Sequence, residues 1–336
     1  MINPKALREF LSKKSIPAYR SKQIMHAVYK EAKDDFQKIV ILPKNVRDLL
    51  IANLKVFCFE VEREVESKSG DTTKTLFKLK DGSLIEGVLM HFKDGRNSVC
   101  VSSQVGCPLK CAFCATGARG FTRNLTAEEI ADQVLYFNHK LKKRVTHVVF
   151  MGMGEPLLNY ENVMEAISVL NDEDLFGIAA RHITVSTAGI IPGIEKLMQA
   201  KIQINLALSL HAPNQTLREK LMPIANSYKL PDLMKAVLSY LNATRRRISY
   251  EYVMLKGIND SASHAEELSK LLRGQLCHVN LIPYNETYLG FSNAGRPQIE
   301  TFRKILEKHK VPVTIRVSLG QDISAACGQL GRAKAR

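Results

Sequence analysis

The sequence predicts an α/β fold in which strands and helices alternate to form a barrel. From about residue 98 onward, short apolar runs typical of buried strands alternate with amphipathic helical patterns, which favours a parallel sheet covered by helices. Six or seven such units fit a closed or partly closed (β/α) barrel, in which chemistry lies at the carboxyl ends of the strands. The predicted strands are residues 99–102, 145–151, 182–187, 204–210, 248–255, 279–282 and 313–317.

The helices are predicted from their first turns. Thr126 and Glu129 form a capping box, which starts a helix over residues 126–141. Pro231 stands where an early helical residue tolerates proline, and predicts a helix over 231–242.

Two smaller units precede the barrel. Residues 1–54 have apolar residues at helical spacing and predict a small helical accessory domain. Residues 55–92 predict a β-hairpin extension, because Asp81-Gly82 is a strong turn signal between two alternating segments. Residues 93–336 form the predicted barrel together with a C-terminal segment.

Composition narrows the class of protein. Lys and Arg outnumber Asp and Glu by 48 to 33, and the net charge of +15 favours a polyanionic partner, nucleic acid before others, although a solvated basic surface is the alternative. No apolar stretch approaches the roughly 20 residues of a membrane helix, and the N-terminus has no signal-like core, so a cytoplasmic protein without membrane contact is expected. Seven cysteines, an odd number, argue against a disulfide scaffold.

Three cysteines stand together just after the first predicted barrel strand. Cys107, Cys111 and Cys114 have the spacing C-x3-C-x2-C and would place three thiolates on one loop. A [4Fe–4S] cluster normally has four cysteine ligands, so three would leave one iron open to a small molecule. The alternative is a structural zinc loop completed by a distant His or Cys.

The spacing, with Phe113 before the last cysteine, resembles the signature of the radical-SAM superfamily. The resemblance implies a partial (β/α)6 TIM-like barrel and S-adenosylmethionine on the open iron, cleaved to an adenosyl radical. Gly154-Glu155 resembles the motif for the amino group of S-adenosylmethionine, although it could be only a tight turn. The other residues expected to bind this cofactor follow later strands and are Ser186, Ser209, Leu210, His211 and Asn285.

Two further cysteines make the resemblance more specific. Alone, Cys100 and Cys327 would each read as a small buried hydrophobe. With the cluster motif they resemble the RlmN/Cfr family of RNA methyltransferases, and the match runs from about Tyr19 to Leu330. It implies two S-adenosylmethionine molecules per turnover, methylation of Cys327, attack on adenine by the resulting methylene radical, and resolution by Cys100 through a transient disulfide. Glu86 falls where the family carries a proposed proton acceptor; the alternative is an ordinary exposed Glu in a strand.

The resemblance is greater to RlmN-type enzymes, which methylate C2 of one adenosine of 23S rRNA (position 2503) and often adenosine 37 of tRNA. A Cfr-type C8 methylation of the same rRNA adenosine stays open; Val105 stands where Cfr-type enzymes tend to have a further cysteine, and Leu319 where some RlmN sequences have arginine. A non-enzymatic RNA-binding protein with a structural metal loop is the remote alternative. An electron donor such as flavodoxin or ferredoxin and a monomeric state are expected. The residues expected to contact RNA phosphates are Arg20, Lys22, Lys44, Arg119 and Arg123.

Overall fold

The computed structural model of the chain describes residues 4–141 and 143–331. Three helices form the N-terminal unit: α1 (Pro4–Lys13), α2 (Tyr19–Tyr29) and α3 (Lys44–Asn53). Their apolar faces are buried, with Leu11, Ile24 and Leu50 almost inaccessible to solvent. This agrees with the helical spacing of these residues in the sequence.

An antiparallel meander follows, made of β1 (Phe59–Glu66), β2 (Thr72–Leu79) and β3 (Leu84–His91). The predicted hairpin corresponds to β2 and β3, joined by the turn at Asp81-Gly82, where Gly82 has a positive φ of 82°. The structure adds β1, which was not predicted because the sequence reads there as a charged stretch; residues 60–64 are all exposed, on both faces of the strand. Strand β3 also pairs with the first barrel strand, so the meander continues the barrel sheet.

The barrel sheet has seven parallel strands: β4 (Asn97–Cys100), β7 (His147–Phe150), β8 (Ile183–Thr187), β9 (Asn205–Ser209), β10 (Ile248–Met254), β11 (Cys277–Pro283) and β12 (Val313–Ile315). Each was predicted, with ends within two residues of those observed. The described strands run in the order β1-β2-β3-β4-β7-β8-β9-β10-β11-β12, which leaves β1 and β12 at the edges and the barrel only partly closed.

Helices cover the strands: α5 (Ala127–Lys140), α6 (Tyr160–Asn171), α7 (Ile191–Gln199), α8 (Gln215–Leu221), α9 (Leu230–Thr244), α10 (Ala262–Leu271) and α11 (Arg296–Lys308). The predicted capping box is present at α5, where Thr126 accepts from the Glu129 amide and Glu129 accepts from the Thr126 amide. The predicted proline lies in the first turn of α9. Single 3-10 turns occupy Phe36–Lys38, Pro156–Asn159, Ala180–His182, Pro223–Asn226 and Gln321–Ile323.

A small ribbon and one short helix surround the cysteine motif. The antiparallel pair β5 (Gln104–Gly106) and β6 (Phe121–Asn124) brackets it, and α4 (Ala115–Ala118) begins directly after Cys114. The motif therefore lies beyond the carboxyl end of β4, at the barrel end where parallel strands present functional groups. In the part of the chain that the structure describes, no helix is both long enough and apolar enough to cross a membrane.

Candidate active site

The cysteine loop, residues 107–114, is fixed by backbone hydrogen bonds to three different elements. The Cys107 amide donates to the Gly120 carbonyl at 2.8 Å, and the Ala112 amide donates to the Leu221 carbonyl at the end of α8 at 2.9 Å. Directly after the loop, the Ala115 amide donates to the Gly328 carbonyl at 2.9 Å. The loop is thus held between the β5–β6 ribbon, α8 and the C-terminal part of the chain.

The three thiols of the loop are half-buried and act on one another electrostatically. Burial raises the pKa of Cys107 to about 12 and that of Cys111 well above its usual range, and the neighbouring thiols raise both further. Between residues 4 and 331, Lys142 apart, no three His, Cys, Asp or Glu side chains already converge as a finished metal site. The donor set nevertheless fits a cluster, because three thiols on one anchored loop are ligands that iron prefers and that a cation would deprotonate.

The Gly-Glu turn after β7 crosses very close to the start of β5. A Cβ on Gly154 would lie 2.6 Å from Gln104, and one on Gly152 would lie 2.6 Å from the Val101 carbonyl oxygen. Glu155 is buried, and its carboxylate accepts the amides of Leu157 at 3.0 Å and Ala188 at 2.7 Å. Burial raises its pKa to about 7. Glu155 therefore joins the ends of β7 and β8, and only its remaining lone pairs are left for an ammonium group.

Polar groups of the next strands lie at the same carboxyl end of the barrel, which we call the rim. The hydroxyls of Ser186 and Ser209, at the ends of β8 and β9, are 3.3 Å apart. His211 has a positive φ of 57°, and its Nδ1 accepts the Val253 amide at 3.0 Å. Burial, with the charge of Arg218, lowers the pKa of His211 to about 3. The ring is therefore neutral, and its proton lies on Nε2. Leu210, between these residues, is fully buried.

Cys327 lies beside the cysteine loop on an irregular stretch, residues 320–331, which we call the catalytic segment. Two contacts join this segment to α4: the Gly328 carbonyl accepts from Ala115, and the Leu330 carbonyl accepts the Thr116 hydroxyl at 2.8 Å. Cys327 is exposed, yet the protein surrounding it raises its pKa, while the charge of Arg316 lowers it. The thiol is also near Cys114.

Cys100, the last residue of β4, is buried and lies close enough to Cys327 to act on it electrostatically. Burial raises the pKa of Cys100 well above its usual range, and Cys327 raises it further. Both thiols are free. The structure therefore brings together the five cysteines that the sequence singled out.

Glu86 is buried, so the alternative of an ordinary exposed glutamate in a strand is wrong. Strand β3 turns this side chain toward the catalytic segment, where its Oε2 accepts the Gly331 amide. Its other oxygen forms an ion pair with Lys74 Nζ at 3.2 Å, and Lys74 also donates to the Ser324 carbonyl at 3.1 Å. We call these contacts of Lys74 and Glu86 the clamp, because they attach the meander to the catalytic segment on both sides of Cys327.

Asn285 follows β11 and binds the catalytic segment rather than standing free on the rim. Its Nδ2 donates to the Cys327 carbonyl at 3.1 Å, and its Oδ1 accepts from Gln321 at 2.7 Å. Any contact between Asn285 and S-adenosylmethionine must use the hydrogen-bonding capacity of the amide that these two bonds leave.

The basic residues expected at the RNA interface divide into two groups. Lys22, Lys44 and Arg119 are exposed, and Arg20 is partly exposed. The guanidinium of Arg123 is instead engaged within the protein, by Asp81 at 2.6 Å and by both oxygens of Glu129 at 2.8 and 2.9 Å, so its contact with RNA stays a prediction. An arginine neutralised by two carboxylates has little charge left for phosphate.

Three residues near the site were missed by sequence reasoning. Lys74 looks like any outward lysine of an alternating strand, and Arg218 like a solvated helix residue. Glu251 did carry a signal, since a carboxylate stood inside a strand predicted to be buried. It is buried, and its Oε1 accepts from Asn280 at 2.8 Å.

Known proteins resemble the chain along almost its whole length. The radical SAM superfamily model matches residues 101–270. Proteins of Clostridium novyi (strain NT) and Thermoanaerobacter sp. (strain X514), each described as a probable dual-specificity RNA methyltransferase RlmN, are 44% and 43% identical over 97% of this chain and 95% of their own length. The crystal structure of a radical SAM methyltransferase from Sphaerobacter thermophilus has a TM-score of 0.95 and 44% identity, covering 98% of both chains. The predicted family and fold are confirmed, and the chain belongs to the RlmN family of radical SAM RNA methyltransferases.

Proposed function

We propose that this enzyme methylates C2 of the adenosine equivalent to position 2503 of 23S rRNA, and adenosine 37 of tRNA, through a methyl group carried on Cys327. It acts as a cytoplasmic monomer and consumes two S-adenosylmethionine molecules per turnover. The relatives described as dual-specificity RNA methyltransferases support the choice of RNA substrates.

The observation that carries the proposal is the contact between the catalytic segment and the cysteine loop. The bonds from Ala115 to Gly328 and from Thr116 to Leu330 hold Cys327 next to the residue that follows Cys114. A plain RNA-binding module has no need for an exposed thiol at this point, nor for Cys100 beside it.

The cysteine loop would hold the [4Fe–4S] cluster through Cys107, Cys111 and Cys114. The rim would hold S-adenosylmethionine through Gly154, Glu155, Ser186, Ser209, Leu210, His211 and Asn285. When bound, these groups supply the methyl group and a hydrogen-abstracting organic radical.

The thiols of the chain perform the transfer itself. The Cys327 thiolate attacks the sulfonium methyl, so that a carbon–sulfur bond forms at Cys327 as the methyl–sulfonium bond breaks. Once this carbon is bonded to adenine C2, the adduct must lose one electron, which the cluster would accept, and its C2 proton. The Cys100 thiolate then attacks the Cys327 sulfur. A disulfide forms, the sulfur–carbon bond breaks, and its electron pair goes to the carbon, which takes a proton. An external thiol reductant returns two electrons to the disulfide before the next cycle.

Glu86 accepts the proton that C2 loses. Its burial and its link to the Gly331 amide support this role, because both fix the carboxylate beside the catalytic segment. Exposed Lys22, Lys44 and Arg119 contribute phosphate contacts, and a flavodoxin or ferredoxin supplies electrons.

Mass spectrometry of nucleosides tests the proposal directly. RNA incubated with reconstituted enzyme, S-adenosylmethionine and reductant is expected to yield 2-methyladenosine, and Cys327→Ala is expected to yield none. Cys277→Ala is the matched control, since Cys277 is a buried cysteine at the opposite, amino-terminal end of β11, and full product is expected from it.

Three results would contradict the proposal. A product of 8-methyladenosine would identify the C8 reaction. Product from Cys327→Ala would exclude the methyl-cysteine route, and failure of the wild-type chain to methylate tRNA would remove the second substrate.

A further inference from the structure

Arg218 is a fully buried arginine in α8, and its charge is poorly matched. Its Nη2 donates to the Ala188 carbonyl at 2.5 Å and, at 3.5 Å, to the Ser209 carbonyl. Among the residues that the structure describes, its Nε and Nη1 have no hydrogen-bond partner, and no carboxylate pairs with it. A guanidinium removed from water in this way is costly unless an anion compensates it.

The position of Arg218 indicates which anion this is. Helix α8 is joined to the cysteine loop, since the Leu221 carbonyl accepts the Ala112 amide. Arg218 lies one turn before Leu221 on this helix, and it is fully buried there.

We infer that Arg218 is the counter-cation of the iron–sulfur cluster that the cysteine loop would hold, with its unpartnered Nε and Nη1 groups available to that anion. The inference deepens the proposed function and rests on the three-cysteine cluster proposed above. Hydrogen bonds to cluster sulfurs and nearby positive charge favour the reduced, more negative state, so Arg218 raises the reduction potential. Arg218 is therefore a positioning and tuning residue, and it need not touch the RNA.

The test is a potentiometric titration of the anaerobically reconstituted full chain, followed by electron paramagnetic resonance. Arg218→Gln removes the charge but keeps a hydrogen-bond donor at the level of Nε, and Arg218→Met removes both the charge and the donor. Arg246→Met is the matched control, because Arg246 binds Asn205 at the amino-terminal end of β9, away from the rim. We expect Arg218→Gln, with normal iron content, to weaken one-electron reduction at least about tenfold, a midpoint about 59 mV more negative. Arg246→Met should match the wild type.

An unchanged midpoint in an Arg218 variant that holds its iron would overturn the inference. An unchanged midpoint combined with weaker binding of S-adenosylmethionine would also overturn it, because Arg218 would then bind the cofactor carboxylate instead of the cluster. If Arg218→Met does not fold, Arg218→Gln decides the question. Failure of the wild-type chain to bind about four irons would refute the proposed cluster itself, and is thus distinct from a failed Arg218 variant.

Discussion

The two cysteines that we propose to be catalytic are held by contrasting kinds of structure. Cys100 ends β4, between β3 and β7, and is fixed by the backbone ladders of both neighbours. Cys327 lies on the catalytic segment, which has no ladder and is held by scattered bonds from side chains and single amides. These come from the meander, α4 and the residues after β11.

The contrast matches what each thiol has to do in the proposed reaction. Cys100 acts once, on a sulfur brought to it, and a fixed buried position serves that purpose. Cys327 must meet a methyl donor, then the adenine base of the RNA, and then Cys100. This requires a segment that can shift by small steps. A few polar contacts that can open one at a time permit this, whereas a strand would not.

Among changes that weaken the attachment of the catalytic segment, breaking the clamp is expected to have the largest effect. Lys74→Met leaves the carboxylate of Glu86 buried without its cation and frees the Ser324 carbonyl, so the unfolding free energy should fall by about 3–5 kcal/mol. The double variant Lys74→Met/Glu86→Gln should recover most of this stability, because no unpaired charge remains, yet it should stay inactive. Chemical denaturation and methylation assays on both variants check this.

Lys78→Met is the control for the clamp, since Lys78 is an exposed lysine on the same strand. It should leave stability and turnover close to the wild type. Equal stability loss in the single and double variants would show that Lys74 and Glu86 do not act as a pair.

The sequence was informative about the barrel and much less so about the catalytic segment. Strands and helices of the barrel follow from periodicity, because each buries one face locally, and the cysteine loop follows from short-range spacing. The clamp could not be predicted, since it joins Lys74 to a carbonyl 250 residues away. The ion pair of Arg123 could not be predicted for the same reason: its partner Asp81 is 42 residues distant and belongs to a turn. Contacts of this kind are set by the assembled fold, and residue type alone does not indicate them.

A smaller effect is expected from removing the charge that favours the Cys327 thiolate. The guanidinium of Arg316 lowers the pKa of Cys327 against the opposing effect of the surrounding protein, so Arg316→Gln should raise that pKa. Less thiolate is then present at any pH below it, and the pH profile of Cys327 alkylation in the apoprotein should move to higher pH, as followed by peptide mass spectrometry. Arg303→Gln, which removes a distant arginine paired with Glu300, should leave the profile in place. A coincident profile for Arg316→Gln would contradict this explanation.

The smallest effect is expected from the single bond between Asn285 and the Cys327 carbonyl. Asn285→Leu keeps the volume but removes this bond and the one to Gln321, whereas Gln321→Leu removes only the latter. With each net hydrogen bond worth about 1 kcal/mol, amide exchange of residues 320–331 should be roughly fivefold faster in Asn285→Leu than in Gln321→Leu. Exchange at β4 should be unchanged in both. Because exchange is measured without cofactor, the result is independent of any contact between Asn285 and S-adenosylmethionine. Equal acceleration in both variants would mean that the bond to Gln321, and not the bond to Cys327, holds the segment.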